Sequence, residues 1–147
     1  MPEVNVEQVV NAPVEKVYAI AKDIERFPEW MANMQSITIT SREGNKTISE
    51  WVGRVEEFKR NLKWTEEDIW DDEQHRCTFR ALEGDWETYE GVWDFIPEGD
   101  QSRMKMKLNY EFNVPLIGAL IKGLLLKLTT KNTQDMLAAL AKRAEES

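Results

Sequence analysis

The sequence predicts an α+β fold in which a curved, seven-stranded antiparallel sheet wraps around one long C-terminal helix, with two short helices after the first strand. Three observations predict it. Turn signals recur between Gln35 and Phe112, at Glu43-Gly44-Asn45, Lys59-Arg60-Asn61, Asp71-Asp72-Glu73, Glu83-Gly84-Asp85 and Glu98-Gly99-Asp100, and they divide this stretch into six consecutive strands. The last of these strands alternates cleanly: Met104, Met106, Leu108, Tyr110 and Phe112 face one way, and Arg103, Lys105, Lys107, Asn109 and Glu111 the other. Beyond Pro115 the period changes, with Leu116, Leu120, Ile121, Leu124, Leu128, Asn132, Met136 and Leu140 recurring at spacings of three and four, as one amphipathic helix requires. A sheet with one dry face and a single long helix to cover it belongs to the α+β class.

The N-terminal elements come in order. Val4, Val6 and Val10 fall on one face of Glu3 to Val10, the period-2 pattern of the first strand. Pro13 suits a first helical turn, Glu15 favours the positive end of a helix, and Val14, Val17, Tyr18 and Ala21 repeat at helical spacing, so a short helix runs to about Asp23. Pro28 interrupts the next segment, which places a second short helix from Pro28 to Met34. No internal repeat or low-complexity linker divides residues 1–147, and the length suits one domain.

Composition excludes several functions. A formal charge of −8 and a pI near 4.8 argue against a nucleic-acid partner, because phosphate binding needs clustered Lys and Arg. One cysteine, Cys77, rules out an internal disulfide and offers no metal-ligand spacing, and His75 is the only histidine, in a turn. Met1 to Val10 carries Glu3 and Glu7 and lacks the cationic start of a secretory signal, so a cytoplasmic protein is expected. Leu116 to Leu128 is about half the length needed to cross a bilayer and contains Lys122 and Lys127.

The aromatic content carries the functional reading. Of six tryptophans, Trp51, Trp64, Trp70, Trp86 and Trp93 fall in the strand region, more bulk than one small core usually requires. A strongly curled sheet and one helix rarely fill the volume between them, and the space left over becomes a pocket walled by strand residues of one parity and the inner stripe of the helix. Trp51, Trp64, Tyr89, Trp93, Met104, Met106, Leu108 and Tyr110 are the candidate ligand-binding wall. Each could equally be a core residue, since aromatics and methionines serve both purposes.

Four segments, Asn11 to Tyr18 (NAPVEKVY), Asp23 to Trp30 (DIERFPEW), Trp64 to Glu67 (WTEE) and Tyr89 to Phe95 (YEGVWDF), resemble in order and spacing the helix-grip superfamily of steroidogenic acute regulatory-related lipid-transfer (START) domains, and within it the polyketide cyclase/dehydrase and coenzyme Q-binding branch. The resemblance covers nearly the whole chain. It implies a deep cavity between sheet and C-terminal helix, used by different members for lipids, quinones, hormones or nascent polyketides, with no metal or nucleotide cofactor. In the aromatase/cyclase members aromatic walls are paired with arginines and hydroxyl residues, and Arg80 and Trp93 match such positions. The segment after Trp64 departs from that pattern, because Glu66 and Asp68 stand where those enzymes carry a hydroxyl residue and an arginine.

Strand parity puts Glu66 and Asp68 on the face of Trp64 and Trp70; carboxylates facing an apolar cavity have raised pKa values and could act as acid and base, with Arg80 on the next strand as partner. The competing reading is a charge cluster near the rim without chemistry. Three functions are consistent with these residues: a container for a hydrophobic small molecule, with Glu66, Asp68 and Arg80 orienting its polar end; a metal-free cyclase/dehydratase using those three residues; or a lipid-pathway chaperone touching a membrane or protein partner near Leu116 to Leu128.

Overall fold

Alternate burial along each strand builds one dry face, and the computed structural model, which describes residues 2–112 and 119–146, arranges the strands in a single antiparallel sheet. In β1 (Glu3–Val10), Val4, Val6 and Val10 point inward. The helix α1 (Val14–Lys22) is next, with Val14, Val17, Tyr18 and Ala21 buried at the expected spacing. It leads into a 3-10 helix at Ile24–Glu29 rather than a helix from Pro28 to Met34. The three-residue period explains the difference: Ile24 and Phe27 stack on one buried side, and Pro28, which has no N–H to give, is accommodated in the last turn as the Trp30 and Met31 amides close back on the Phe27 carbonyl.

The six strands of the meander are β2 (Met34–Glu43), β3 (Lys46–Val55), β4 (Arg60–Asp71), β5 (Arg76–Gly84), β6 (Trp86–Glu98) and β7 (Gln101–Phe112). Their spatial order is β1-β7-β6-β5-β4-β3-β2, so the first strand closes onto the last and only β1 leaves the meander's sequence. A turn of 3-10 helix, Glu56–Phe58, and a left-handed Lys59 complete the β3–β4 connection. Met104, Met106, Leu108 and Tyr110 are all buried, as the alternation of β7 demands.

Register shifts bend the sheet. They fall between Met34 and Ser36, between Ile39 and Ser41, between Thr65 and Glu66, and between Trp86 and Thr88, and extra residues at such points raise the local twist. Gly91 allows close packing at the centre: a Cβ there would collide with the Lys107 carbonyl and lie 2.8 Å from the Phe79 ring.

The helix α2 (Ala119–Glu146) crosses the dry face. It comes closest to β1 and also packs on α1, through a stripe formed by Leu137, Leu140, Ala141 and Ala144. Its expected opening at Pro115, with Leu116 and Gly118, lies outside the described residues. Leu124 of the expected stripe is exposed, and Asn132 and Met136 are half-buried. The buried stripe thus rotates off the expected one toward the C-terminus. Among the described residues no helix is long and apolar enough to cross a membrane.

Candidate functional site

Between α2 and the bent ends of the strands lies a cavity of about 580 Å³. Sheet residues supply one wall: Gly53 on β3, Leu62 and Trp64 on β4, Trp86 and Tyr89 on β6. Trp30, Met31 and Met34, which link the 3-10 helix to β2, close one side. From α2 come Leu125, Leu128, Met136 and Ala139, together with the polar Thr129, Asn132 and Thr133. The Asn33 amide donates to Asn132 Oδ1 at 3.4 Å, tying this link to the helix across the cavity. Arg54, Lys131, Asp135 and Lys142 edge the opening.

The sheet wall is a chain of aromatic contacts. Gly53 has no side chain to hold off the Trp64 indole, which would lie 3.4 Å from a Cβ there. Trp64 stacks on Trp51 with ring centroids 5.7 Å apart and 16° between planes, and meets Trp86 edge-on at 6.0 Å. Tyr89 sits 4.6 Å from the Trp86 ring. Such pairs hold each other's rotamers, so the wall is preformed.

Behind this wall lies a second, far smaller chamber of about 30 Å³, bordered by Trp51, Glu66, Asp68, Cys77, Trp93 and Met106 among others. Tyr89 and Met136 border both spaces. The residues expected to form the ligand wall therefore separate into three groups. Trp64 and Tyr89 face the main cavity; Trp51, Trp93 and Met106 face the inner chamber; Met104, Leu108 and Tyr110 are buried in the core and border neither. Trp30, Met31, Met34, Leu62 and Trp86 line the cavity although the sequence pattern does not single them out for it. Trp86 has a signal in the crowd of strand tryptophans, whereas Met31 and Met34 lie at or beside irregular backbone, where no period assigns a side chain to a face.

Glu66 and Asp68 are among the most enclosed charged residues, 5% and 2% exposed. Their carboxyl groups hydrogen-bond to each other, and the Trp64 indole N–H donates to Glu66 Oε1 at 3.0 Å. Burial raises the pKa of both: Glu66 goes well above its usual range, helped by the Asp68 charge, and Asp68 rises to about 6. Asp68 Oδ1, Trp93 Nε1 and the Thr47 hydroxyl have no hydrogen-bond partner among the described residues. Burial also pushes the Cys77 thiol and the Tyr89 phenol up, with the two carboxyls adding to it, so neither is ionised near neutral pH.

Arg80 does not join them. Direct cross-strand partners share a face, and the register sets Arg80 opposite Glu67, not Glu66 or Asp68. On the outer face Arg80 Nε donates to Glu67 Oε1 at 3.0 Å, with Lys46 Nζ 3.3 Å from the other oxygen. These partners hold the Glu67 carboxyl below its ordinary range, and the Arg80 side chain is 60% exposed. The expected three-residue site is therefore a carboxyl pair inside and a separate ion pair outside. His75 is half-buried, with a left-handed backbone and its ring centroid 4.9 Å from that of Tyr18.

A sheet gripping a helix around an aromatic cavity defines the helix-grip fold. The chain belongs to the family described as polyketide cyclase / dehydrase and lipid transport, whose model matches residues 10–137. A crystal structure of a Thermus thermophilus protein superposes with a TM-score of 0.92 at 38% identity, covering 97% of both chains. The Zhui aromatase/cyclase from Streptomyces sp. R1128 shares the fold, with a TM-score of 0.90 at 15% identity over 98% of this chain and 93% of that one. A relative named ribosome association toxin RatA, from Rickettsia prowazekii, is 25% identical over 135 residues, 89% of this chain and 88% of its own.

Proposed function

We propose that the protein binds and carries a hydrophobic small molecule in the cavity between its sheet and α2. The observation that carries this reading is the cavity itself: about 580 Å³, aromatic on the sheet side, with Leu125, Leu128 and Met136 among hydroxyl, amide and charged groups on the helix side. That volume falls within the range of drug-sized ligand sites, about 300–1,000 Å³, and its few polar groups are the sort that orient a ligand. Family membership supports a lipid, quinone or polyketide-like guest. A formal charge of −8 speaks against transferring the toxin's ribosome association to this chain, since a ribosome presents mostly RNA phosphate. The test is native mass spectrometry of protein purified from its host, followed by denaturing extraction. A stoichiometric hydrophobic adduct is expected, and its loss in Leu128→Trp, which fills the cavity, assigns it to this site; an adduct that persists in that variant refutes the assignment.

A second reading is favoured by the Glu66–Asp68 pair: a cyclase or dehydratase in which one of two buried carboxyls, both with pKa values raised by burial, protonates a carbonyl guest while its partner accepts a proton. Arg80, on the outer face, has no part in it. An enzyme releases an altered product and loses turnover in Glu66→Gln and Asp68→Asn, whereas a carrier returns its ligand unchanged.

A further inference from the structure

The inner chamber has a chemistry distinct from that of the main cavity. Its volume of about 30 Å³ has room for only one or two water-sized groups. Asp68 and Trp93 both border it, and each holds a buried polar atom without a partner among the described residues: the acceptor Asp68 Oδ1 and the donor Trp93 Nε1. Orphaned polar atoms of this kind are uncommon in folded proteins, because each forfeits its hydration without replacement. Two such atoms of opposite type at one small chamber match a group that both donates and accepts. The remaining carboxyl oxygens there are engaged with each other and with the Trp64 indole.

Tyr89 and Met136 border both spaces and so stand between the chamber and the main cavity. Met136 is half-buried on α2 and unbranched, so its rotamers can change without backbone movement. A ligand whose body fills the main cavity could therefore extend a terminal polar group past Met136 into the inner chamber. We propose that the inner chamber seats a single terminal hydroxyl of an otherwise apolar ligand, which donates to Asp68 Oδ1 and accepts from Trp93 Nε1 after passing between Tyr89 and Met136. A carboxylate is excluded because it would face the carboxyl pair as a second acceptor. A primary ammonium could donate but leaves the indole N–H unpaired and buries a fully charged head.

This inference rests on the cavity being a hydrophobic ligand site, and the experiment separates the two. Four probes with one aromatic body, 2-methylnaphthalene, 2-naphthalenemethanol, 2-naphthalenemethylamine and 2-naphthoate, are titrated against the full chain by ligand-observed NMR. The alcohol is expected to bind about tenfold more tightly than the carboxylate and about threefold more tightly than the hydrocarbon, the range of one good hydrogen bond against one buried repulsion. Equal affinities, or tighter binding of the amine or the carboxylate, overturn the hydroxyl assignment and leave the hydrophobic site standing. No binding by any of the four overturns the hydrophobic site itself. Trp93→Phe keeps a ring and removes the N–H; it should weaken the alcohol alone, and an unchanged alcohol affinity counts against the proposal. Should that variant fail to fold, the four-probe comparison on the native chain decides.

Discussion

The Glu66–Asp68 pair ties ionisation to stability with a definite sign. Both carboxyls have folded-state pKa values above their unfolded ones, so between about pH 4 and somewhat above pH 6 the folded state binds more protons than the unfolded state. Stability from this pair is present below that window and falls as pH rises through it. Glu67 and Asp72, whose pKa values are lowered, act the other way, but only at more acidic pH, where stability is lost as pH falls. Chemical denaturation should accordingly show Asp68→Asn less dependent on pH between about 4.5 and 7.5 than the native chain, and more stable at the upper end by roughly 1–3 kcal/mol, since one pKa unit corresponds to about 1.4 kcal/mol. A variant that keeps the native pH slope would show that the carboxyls are not paired as described. Arg80→Ala serves as the contrast. Its ion pair with Glu67 is exposed on the arginine side, so the substitution should cost under about 1 kcal/mol and leave probe binding unchanged.

At the scale of elements, hairpins and the long helix are legible in the chain because their signals are local: turn residues at short intervals, alternation in β7, a helical period before the charged tail. Partner choice across strands is not. Parity puts Glu66 and Asp68 inside, but the face of Arg80 depends on register, and one residue of register reverses a face. The extra residue at Leu82, beside the Thr65–Glu66 shift, is the kind of feature that defeats counting along a strand. The second short helix differs from its expected position for a related reason: Pro28 signals a break in an α-helix, yet a 3-10 turn accepts it. The close approach of β6 and β7 can be tested directly. Gly91→Ala drives a methyl into the Lys107 carbonyl between these strands and should destabilise the protein by more than about 1 kcal/mol, read as a lowered denaturation midpoint. Leu124 and Leu126 leave apolar surface exposed near the start of α2; if this face touches lipid during transfer, Leu126→Glu should lower co-sedimentation with anionic phospholipid vesicles, and a native chain that does not sediment with them removes the membrane-contact reading.

For the whole molecule, the question is why so much aromatic side-chain volume leaves a cavity at all. The contacts of α2 answer it. The helix is fastened at its C-terminal half, where Leu137, Leu140 and Ala144 are buried and the sheet edge at β1 comes close, and it diverges from the bent ends of β3 and β4. Trp51, Trp64 and Trp86 pack on one another as a wall along the sheet and leave the space beside α2 open. Folding and binding are thereby linked: a guest in the main cavity bridges the sheet to α2, and its site exists only in the folded chain. Such a ligand stabilises by RT ln(1 + [L]/Kd), about 2.7 kcal/mol at a hundredfold excess over Kd. A thermal melt with 2-naphthalenemethanol at that excess should show a raised midpoint that climbs with concentration, and Leu128→Trp should abolish the shift while remaining folded, because the indole occupies the guest's place between helix and sheet. A concentration-dependent shift that survives in Leu128→Trp would locate the binding elsewhere on the molecule and would separate the stability of α2 from the occupancy of the cavity.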